Sequence, residues 1–162
     1  MGAESVTVCF TGNPNCGKTT LFNAYTGAGK KTANWPGVTV ALSEGSLMHR
    51  GRLVHLVDTP GIYSLDPYTM EETVTRQCIR DQKADVIIHV ADALLLERSL
   101  FLTMQLLAEG KPLVLALNMM DLVRERGMDI DTEGLSRLLG GIPVIPVSAR
   151  RRTGLEELMD AA

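Results

Sequence analysis

A glycine-rich segment near the N-terminus carries residue types that could bind phosphate. Residues 12–19 read Gly-Asn-Pro-Asn-Cys-Gly-Lys-Thr, which fits the pattern G-x-x-x-x-G-K-[ST]. In such a loop backbone N–H groups surround phosphate oxygens, the lysine reaches the β- and γ-phosphates, and the hydroxyl binds Mg²⁺. We therefore expect Lys18 to act on the terminal phosphates and Thr19 to be a magnesium ligand. The residues expected to contact the nucleotide here are Gly12, Asn13, Pro14, Asn15, Cys16, Gly17, Lys18, Thr19 and Thr20.

A second polar segment, residues 58–61, reads Asp-Thr-Pro-Gly and follows a predicted strand. From the end of that strand Asp58 is expected to reach the Mg²⁺ through water. Gly61 is expected to bring a backbone N–H to the γ-phosphate, because no Cβ stands in the way. Thr39 precedes another predicted strand, and in nucleotide switches a threonine at this place closes over the metal and the γ-phosphate. Thr39 is thus the second hydroxyl ligand that we expect for magnesium.

Two later segments indicate which base would be bound. Residues 118–121 read Asn-Met-Met-Asp and residues 148–150 read Ser-Ala-Arg, each after a predicted strand. The Asp121 carboxylate can accept both N–H groups on the edge of guanine, whereas adenine would leave it unsatisfied at a cost of a few kcal/mol. The Ala149 N–H is expected near the guanine carbonyl oxygen, with Ser148 supporting the loop. The residues expected at the base are Asn118, Met119, Asp121, Ser148, Ala149 and Arg150.

The elements that must position these segments alternate between strand-like and helix-like patterns, which predicts an α/β fold. We expect a mostly parallel six-stranded sheet with one antiparallel edge strand and helices on both faces. Residues 45–51 are expected to form a hairpin loop between two of the strands. The predicted strands cover residues 6–10, 39–43, 53–57, 86–90, 113–117 and 142–147.

Helical periodicity gives three further expectations. The first helix should follow the phosphate loop and end at Gly27. An apolar stripe with helical spacing is expected to pack in the core, and it consists of Leu96, Leu100, Met104 and Leu107. Thr153 is expected to cap a final helix, because Glu156 follows three residues later.

Composition excludes several classes of function. The chain has 162 residues, enough for a single domain over residues 1–162, and its formal charge of -3 provides no basic field for nucleic acid. No signal sequence and no apolar run of about 18 residues is present, so the chain by itself is expected to be soluble. The three cysteines and three histidines lack metal-ligand spacing and are expected to be reduced thiols and structural imidazoles; they are Cys9, Cys16, Cys78, His49, His55 and His89. A reactive thiol at Cys16 is the alternative, because helix N-termini depress thiol pKa values.

Taken together, the segments resemble the translation-factor-like P-loop GTPases, and most closely the cytosolic G domain of the ferrous iron transport protein B family. The resemblance rests on residues 12–19, 34–40, 58–65, 96–103 and 115–121. It implies a Ras-like fold that binds GTP or GDP with Mg²⁺. It also implies that a helical domain and a transmembrane iron-transport domain, absent here, accompany this domain at the cytoplasmic face of the membrane. The chain is therefore expected to be a part of a longer protein.

The resemblance also bears on hydrolysis. Ras-like enzymes orient the attacking water with a glutamine just after the Asp-x-x-Gly glycine, but this chain has Ile62 there, so intrinsic turnover is expected to be slow. Resemblance to cation-activated GTPases implies that Asn15 helps to hold K⁺ between the β- and γ-phosphates. Backbone near Gly37 and Val38 would then orient the water. The only tryptophan, Trp35, lies in the same segment and is expected to report the nucleotide state by fluorescence.

Three functions remain open from the sequence. The first is a slow, K⁺-stimulated GTPase that couples nucleotide state to ferrous iron transport. The second is a regulatory switch whose output is the ordering of residues 27–40 and 59–70, with hydrolysis only as a reset. The third is a GTPase of tRNA modification or ribosome assembly, which would need RNA partners that the charge does not favour. An ATPase is the least expected because of Asn118 and Asp121.

Overall fold

The structure is a computed structural model that describes residues 4–27, 31–34, 41–80 and 84–162. Seven strands form one sheet in the order β2-β3-β4-β1-β5-β6-β7. The strands are β1 (Val6–Gly12), β2 (Lys31–Asn34), β3 (Ala41–His49), β4 (Arg52–Asp58), β5 (Val86–Asp92), β6 (Leu113–Asn118) and β7 (Val144–Pro146). The helices are α1 (Lys18–Thr26), α2 (Met70–Arg80), α3 (Leu96–Ala108), α4 (Met120–Glu125), α5 (Thr132–Leu138) and α6 (Leu155–Ala161).

The sheet is mostly parallel, as the sequence predicts. Strand β1 lies at its centre and pairs in parallel with β4 and β5, and β5, β6 and β7 continue the parallel arrangement. Strand β3 pairs antiparallel with β4 and β2 antiparallel with β3. The predicted fold class is confirmed, but six strands was one too few. The sequence hides β2 because Lys31–Asn34 is short and polar, and an edge strand is held by backbone hydrogen bonds rather than by an apolar pattern.

The hairpin loop predicted at residues 45–51 begins later than expected. Strand β3 continues to His49, so only Arg50 and Gly51 turn the chain, with φ of 48° and 79°. Both central residues have positive φ, as a two-residue turn between twisted strands requires. Gly45 lies inside β3 because α1 packs closely there: a Cβ would stand 2.4 Å from the Thr26 Cγ2 atom. A glycine read from sequence as a loop thus marks a close approach of helix and strand.

Apolar side chains cover both faces of the sheet. On one face Val8, Phe10 and Ile88 pack with side chains of α1 and α6. On the other, Cys9 and Ile87 pack with α2 and α3. The Cys9 and Cys78 Sγ atoms lie 3.2 Å apart in this second layer, and the contact together with burial raises the pKa of Cys9.

The predicted core stripe on α3 is confirmed for Leu96, Leu100 and Leu107, which pack against the buried apolar side chains, and it is wrong for Met104. Leu96, Leu100 and Leu107 are half-buried, and Met104 is 59% exposed. The buried face carries two hydroxyl groups among its leucines, and it consists of Ser99, Leu102, Thr103 and Leu106. The hydroxyl groups are satisfied at short range, since Ser99 Oγ donates to the Leu95 carbonyl and Thr103 Oγ1 lies 2.9 Å from His89 Nδ1. A prediction from apolar spacing alone cannot find a buried helix face on which polar side chains are satisfied by such hydrogen bonds.

The predicted cap of the last helix is also wrong. Helix α6 begins after Gly154, whose φ is 78°, and no side chain caps it. Thr153 instead exchanges two backbone hydrogen bonds of 3.1 Å with Ser148. Helix α1 does end at Gly27, as predicted, and β7 lies at the sheet edge. In the part of the chain that the structure describes, no helix has the length and apolar character to cross a membrane.

Candidate nucleotide-binding site

The phosphate loop lies at the carboxyl end of the central strand. Strand β1 ends at Gly12 and α1 begins at Lys18, so the loop faces the N-terminus of that helix. Asn15 and Gly17 have φ of 65° and 84°, and the Cys16 N–H donates to the Asn13 carbonyl over 3.3 Å. The loop, Lys18 and its two following threonines line a cleft of about 360 Å³ that Gly61 closes on one side. The predicted phosphate-binding residues other than Gly12 therefore share one concave surface at a helix N-terminus.

The side chain of Lys18 is buried beneath this loop. Its Nζ donates to Asp58 Oδ1 and, over 2.6 Å, to the Thr59 carbonyl. Both members of the ion pair are less than one-tenth exposed. A phosphate that bound in the cleft would compete with Asp58 for the Lys18 ammonium group.

A pair of oxygen ligands for magnesium meets at the same place. The Thr19 hydroxyl lies 3.4 Å from Asp58 Oδ2, at the junction of α1 and β4. Hydroxyl and carboxylate oxygens suit Mg²⁺, which binds one or two protein oxygens together with phosphates and water. Thr19 and Asp58 thus fit the predicted metal, whereas Thr39 lies outside the described residues, as do Gly37, Val38 and Trp35.

Gly61 and Ile62 hold the second segment against the phosphate loop. The Ile62 N–H donates to the Gly12 carbonyl over 2.9 Å. A Cβ on Gly61 would stand 3.0 Å from the Pro14 Cα atom, which explains the need for glycine there. The Ile62 side chain is 3% exposed and packs in the apolar layer behind the site. It can neither hydrogen-bond nor reach a water molecule in the cleft.

Asn118 joins three predicted segments through one side chain. Its Nδ2 donates to the Cys16 carbonyl over 2.9 Å, and its Oδ1 accepts from the Ala149 N–H over 3.0 Å. Gly17 makes this contact possible, because a Cβ there would lie 2.2 Å from Nδ2. The Ala149 N–H, which the sequence assigns to the base, is thus engaged by Asn118, so its contact with a base stays a prediction. Met119 follows with φ of 67° and turns the chain into α4.

The loop that precedes α6 is closed by short hydrogen bonds and carries a residue that sequence reasoning missed. Ser148 is buried, and its Oγ accepts from the Arg151 N–H over 3.1 Å. The Arg151 guanidinium lies beside α4: its Nε is 3.3 Å from Asp121 Oδ2 and its Nη2 donates to Glu125 Oε1 over 2.7 Å. Arg150 is exposed. No spacing rule relates the arginine run at residues 150–152 to Asp121, so a sequence pattern cannot reveal this contact.

Cys16 and Asn15 differ in exposure. The Cys16 side chain is 2% exposed, and burial raises the pKa of its thiol, which opposes the reactive thiolate considered from the sequence. The Asn15 side chain is exposed at the rim of the cleft. It is therefore free to offer its amide oxygen to an incoming ligand.

Comparisons with known proteins identify relatives over nearly the whole chain. The sequence profile of the family described as "Ferrous iron transport protein B" matches residues 6–162. The Fe(2+) transporter FeoB of Legionella pneumophila (strain Paris) is 47% identical over 154 residues, which is 93% of this chain and 20% of that protein. The chain thus spans about a fifth of the length of this curated relative.

Solved structures agree with the sequence relatives. The cytosolic domain of the T. maritima FeoB iron transporter in a GDP form superposes with a TM-score of 0.94 at 41% identity, over 99% of this chain and 62% of that one. The cytosolic domain of L. pneumophila FeoB gives a TM-score of 0.89 at 46% identity, over 96% of this chain and 68% of that one. The similarity therefore extends to sequence and fold together.

Proposed function

This chain belongs to the ferrous iron transport protein B family, and from that premise we propose that it binds guanine nucleotides and hydrolyses GTP to GDP and phosphate. The observation that carries the proposal is the double hydrogen bond of Asn118, which ties the phosphate loop to the loop that precedes α6. A phosphate site and a base site are thereby held at a fixed separation. The GDP-bound structure of the T. maritima relative supports the same assignment.

Guanine recognition falls to Asp121 in this proposal. Its carboxylate, in the first turn of α4, accepts the two N–H groups on the guanine edge. Adenine offers a different pattern of donors and acceptors, so the buried carboxylate would lose hydrogen bonds at a cost of a few kcal/mol. Met119 would lie beside the base, the Ala149 N–H near the guanine carbonyl oxygen, and Ser148 would support that loop.

Phosphate binding requires Lys18 to exchange partners. Its ammonium leaves Asp58 Oδ1 and contacts the β- and γ-phosphates, while the N–H groups of residues 15–19 surround the phosphate oxygens. Thr19, Asp58 and Thr39 are the proposed ligands for magnesium, Asp58 through water. The bound Mg²⁺ would supply positive charge that offsets the charge on the phosphate oxygens. The Gly61 N–H would approach the γ-phosphate.

Hydrolysis is proposed to be slow and to depend on a monovalent cation. Ile62 occupies the place of a water-orienting glutamine and is buried away from the cleft. The exposed Asn15 amide is the proposed protein ligand for K⁺, whose charge would act where charge develops between the β- and γ-phosphates. Backbone near Gly37 and Val38 would orient the water.

The biological role proposed for the longer protein is regulation of ferrous iron transport, from the cytoplasmic face of the membrane. The relatives named as Fe(2+) transporters are about five times as long as the matched region, which leaves room for the expected helical and transmembrane domains as partners. A second candidate is a regulatory switch in which hydrolysis is only a reset. The burial of Ile62 favours it, because slow turnover suits a state that must persist.

The test is phosphate release from GTP and from ATP with Mg²⁺, in potassium and in sodium salts at equal ionic strength. We expect GTP-specific activity that potassium stimulates and that Asn15→Ala reduces to the sodium rate. Asn23→Ala is the matched control, because Asn23 is an exposed asparagine on α1 outside the cleft. Equal turnover of ATP would overturn the guanine assignment, and retained potassium stimulation in Asn15→Ala would overturn the cation site. Very low turnover with a large nucleotide-dependent change of Trp35 fluorescence would favour the switch.

A further inference from the structure

We propose that Arg151 is a positioning residue for guanine recognition: it fixes the Asp121 carboxylate in the orientation that accepts the base and balances its charge. This inference rests on the proposed function, since it concerns the same carboxylate. Arg151 itself is not expected to touch the nucleotide. The proposal is carried by the loop that places Arg151, by the enclosure of one Asp121 oxygen, and by the second carboxylate that holds the guanidinium.

The loop places Arg151 by its own hydrogen bonds. Ser148 and Thr153 exchange two backbone hydrogen bonds, which close the four residues between them into a tight turn. Inside the turn the Arg151 N–H donates to Ser148 Oγ, and the Ala149 N–H is fixed to Asn118. The backbone of Arg151 is therefore anchored to Ser148, in the same loop whose Ala149 N–H bonds the Asn118 side chain that anchors the phosphate loop. The Arg151 Cα and Cβ atoms therefore have a defined position, although 54% of the side-chain surface is exposed.

The two oxygens of Asp121 lie in different surroundings. Oδ2 is fully enclosed and has no aligned hydrogen-bond donor, but the Arg151 Nε lies 3.3 Å away. The whole side chain is only about 10% exposed. Among the described residues, Arg151 is the only cation within 4.0 Å of this carboxylate. An enclosed carboxylate without a nearby positive charge is costly, so the guanidinium offsets the burial that guanine binding would complete.

Glu125 determines where the guanidinium lies. Asp121 and Glu125 are four residues apart on α4, so both carboxylates face the same side of the helix. The Nη2 of Arg151 bonds Glu125 over 2.7 Å, while Nε remains beside Asp121. Because each carboxylate oxygen has two lone pairs, Arg151 can hold the enclosed Oδ2 while Oδ1 keeps its acceptor sites for the base. Arg151 therefore supports the bond to guanine and does not compete with it.

The test is titration calorimetry of the purified chain with Mg²⁺, which measures its affinity for GDP and for xanthosine diphosphate (XDP). The unaltered chain is compared with the variants Arg151→Ala, Arg151→Lys and Arg152→Ala. Arg152→Ala removes one positive charge from the same loop, but Arg152 bonds the Ala24 carbonyl and forms no ion pair with Asp121. We expect Arg151→Ala to weaken GDP binding by about 5-fold, in line with a partly exposed ion pair, and Arg151→Lys to recover part of the loss. Arg152→Ala should change the affinity by less than about 2-fold.

A double-variant cycle isolates the Asp121 contact. Asp121→Asn replaces the carboxylate by an amide whose N–H can donate to the xanthine carbonyl. The variant should therefore bind XDP in preference to GDP. In that background Arg151→Ala should leave XDP affinity within about 2-fold, because the charge that Arg151 balances is gone. An equal loss in both backgrounds, tighter GDP binding by Arg151→Ala, or a matching loss in Arg152→Ala would each overturn the positioning role. Failure of the unaltered chain to bind GDP would instead overturn the proposed function, which separates the two failures.

Discussion

At the scale of single residues, Asn118 does more than the base-recognition motif requires. Its amide is 3% exposed and uses both of its ends, one on the phosphate loop and one on the loop before α6. A side chain that bridges two loops fixes their separation before any ligand arrives. The site is therefore partly preorganised, which lowers the entropy cost of binding.

Asn118→Ala should weaken both folding and binding. It leaves the Cys16 carbonyl and the Ala149 N–H without their partners, so we expect a loss of about 2–4 kcal/mol in the free energy of unfolding. GDP affinity should fall at least 10-fold, because the two loops are no longer tied. Urea unfolding and GDP titration measure the two effects, with the exposed Asn23→Ala as control. Unchanged affinity in a destabilised variant would show that the bridge serves folding alone.

His89 gives a prediction about pH. Burial lowers its pKa from 6.5 to about 3, and its Nδ1 lies 2.9 Å from Thr103 Oγ1. The folded protein keeps the imidazole neutral, whereas the unfolded chain takes up a proton below about pH 6.5. This contribution to stability is therefore present above pH 6.5 and is lost as the pH falls toward 3, at about 1.4 kcal/mol per pH unit.

The measurement is urea unfolding at pH 7 and pH 5 of the unaltered chain and of His89→Gln. The unaltered chain should lose about 2 kcal/mol more than the variant between these values, because glutamine does not titrate. His49 and His55 are present in both proteins, so their contributions cancel. The acidic group with a strongly lowered pKa, Asp160, titrates below pH 4 and stays outside this window. Equal losses in the two proteins would contradict the buried neutral imidazole.

At the scale of elements, the sequence predicted what periodicity controls and missed what contacts control. The apolar strands β5 and β6 and the helix after the phosphate loop are correct, because continuous burial and a glycine end leave clear patterns. The polar strand β2 and the length of β3 were missed. The first is held by backbone pairing, and the second contains Gly45, which serves the packing of Thr26.

The candidate site shows the same division. Residues 12–19, Asp58 and Asn118 lie together because β1, β4 and β6 all end at the same edge of the sheet, which the predicted parallel strands already indicate. Arg151 was missed because its partners lie on α4, far away in sequence, and a hydrogen-bonded turn brings it there. Such long-range pairs leave no local pattern.

The turn between β3 and β4 gives a prediction for backbone conformation. Gly51 has φ of 79° and a Cβ there would meet no atom within 4 Å, so Gly51→Ala tests the left-handed backbone alone. We expect a loss of about 1–2 kcal/mol in the free energy of unfolding. Gly51→Asn should cost less, because asparagine adopts this conformation more readily. Thermal or urea unfolding of the two variants decides, and an equal cost for both would point to a cause other than φ.

At the scale of the whole molecule, the candidate site lies where both halves of the sheet meet. The central strand β1 carries the phosphate loop, β4 brings Asp58 from one side, and β6 brings Asn118 from the other. The buried Lys18–Asp58 pair joins β4 to α1 in this structure, and a nucleotide would replace that link with contacts to its phosphates. Ligand and fold should therefore be coupled thermodynamically.

The final prediction follows from this coupling. A ligand that binds only the folded chain stabilises it by RT ln(1 + [L]/Kd), about 2.7 kcal/mol at one hundred times Kd. We expect GDP with Mg²⁺ to raise the melting temperature by this mechanism, with a shift that grows with GDP concentration, and ADP at equal concentration to leave it unchanged. Asp121→Asn should lose the GDP response and keep the melting temperature of the ligand-free chain within a few degrees, because its side chain keeps the same shape. A GDP response that survives in Asp121→Asn would mean that phosphate contacts alone stabilise the fold, and base recognition would then have to be assigned to other residues.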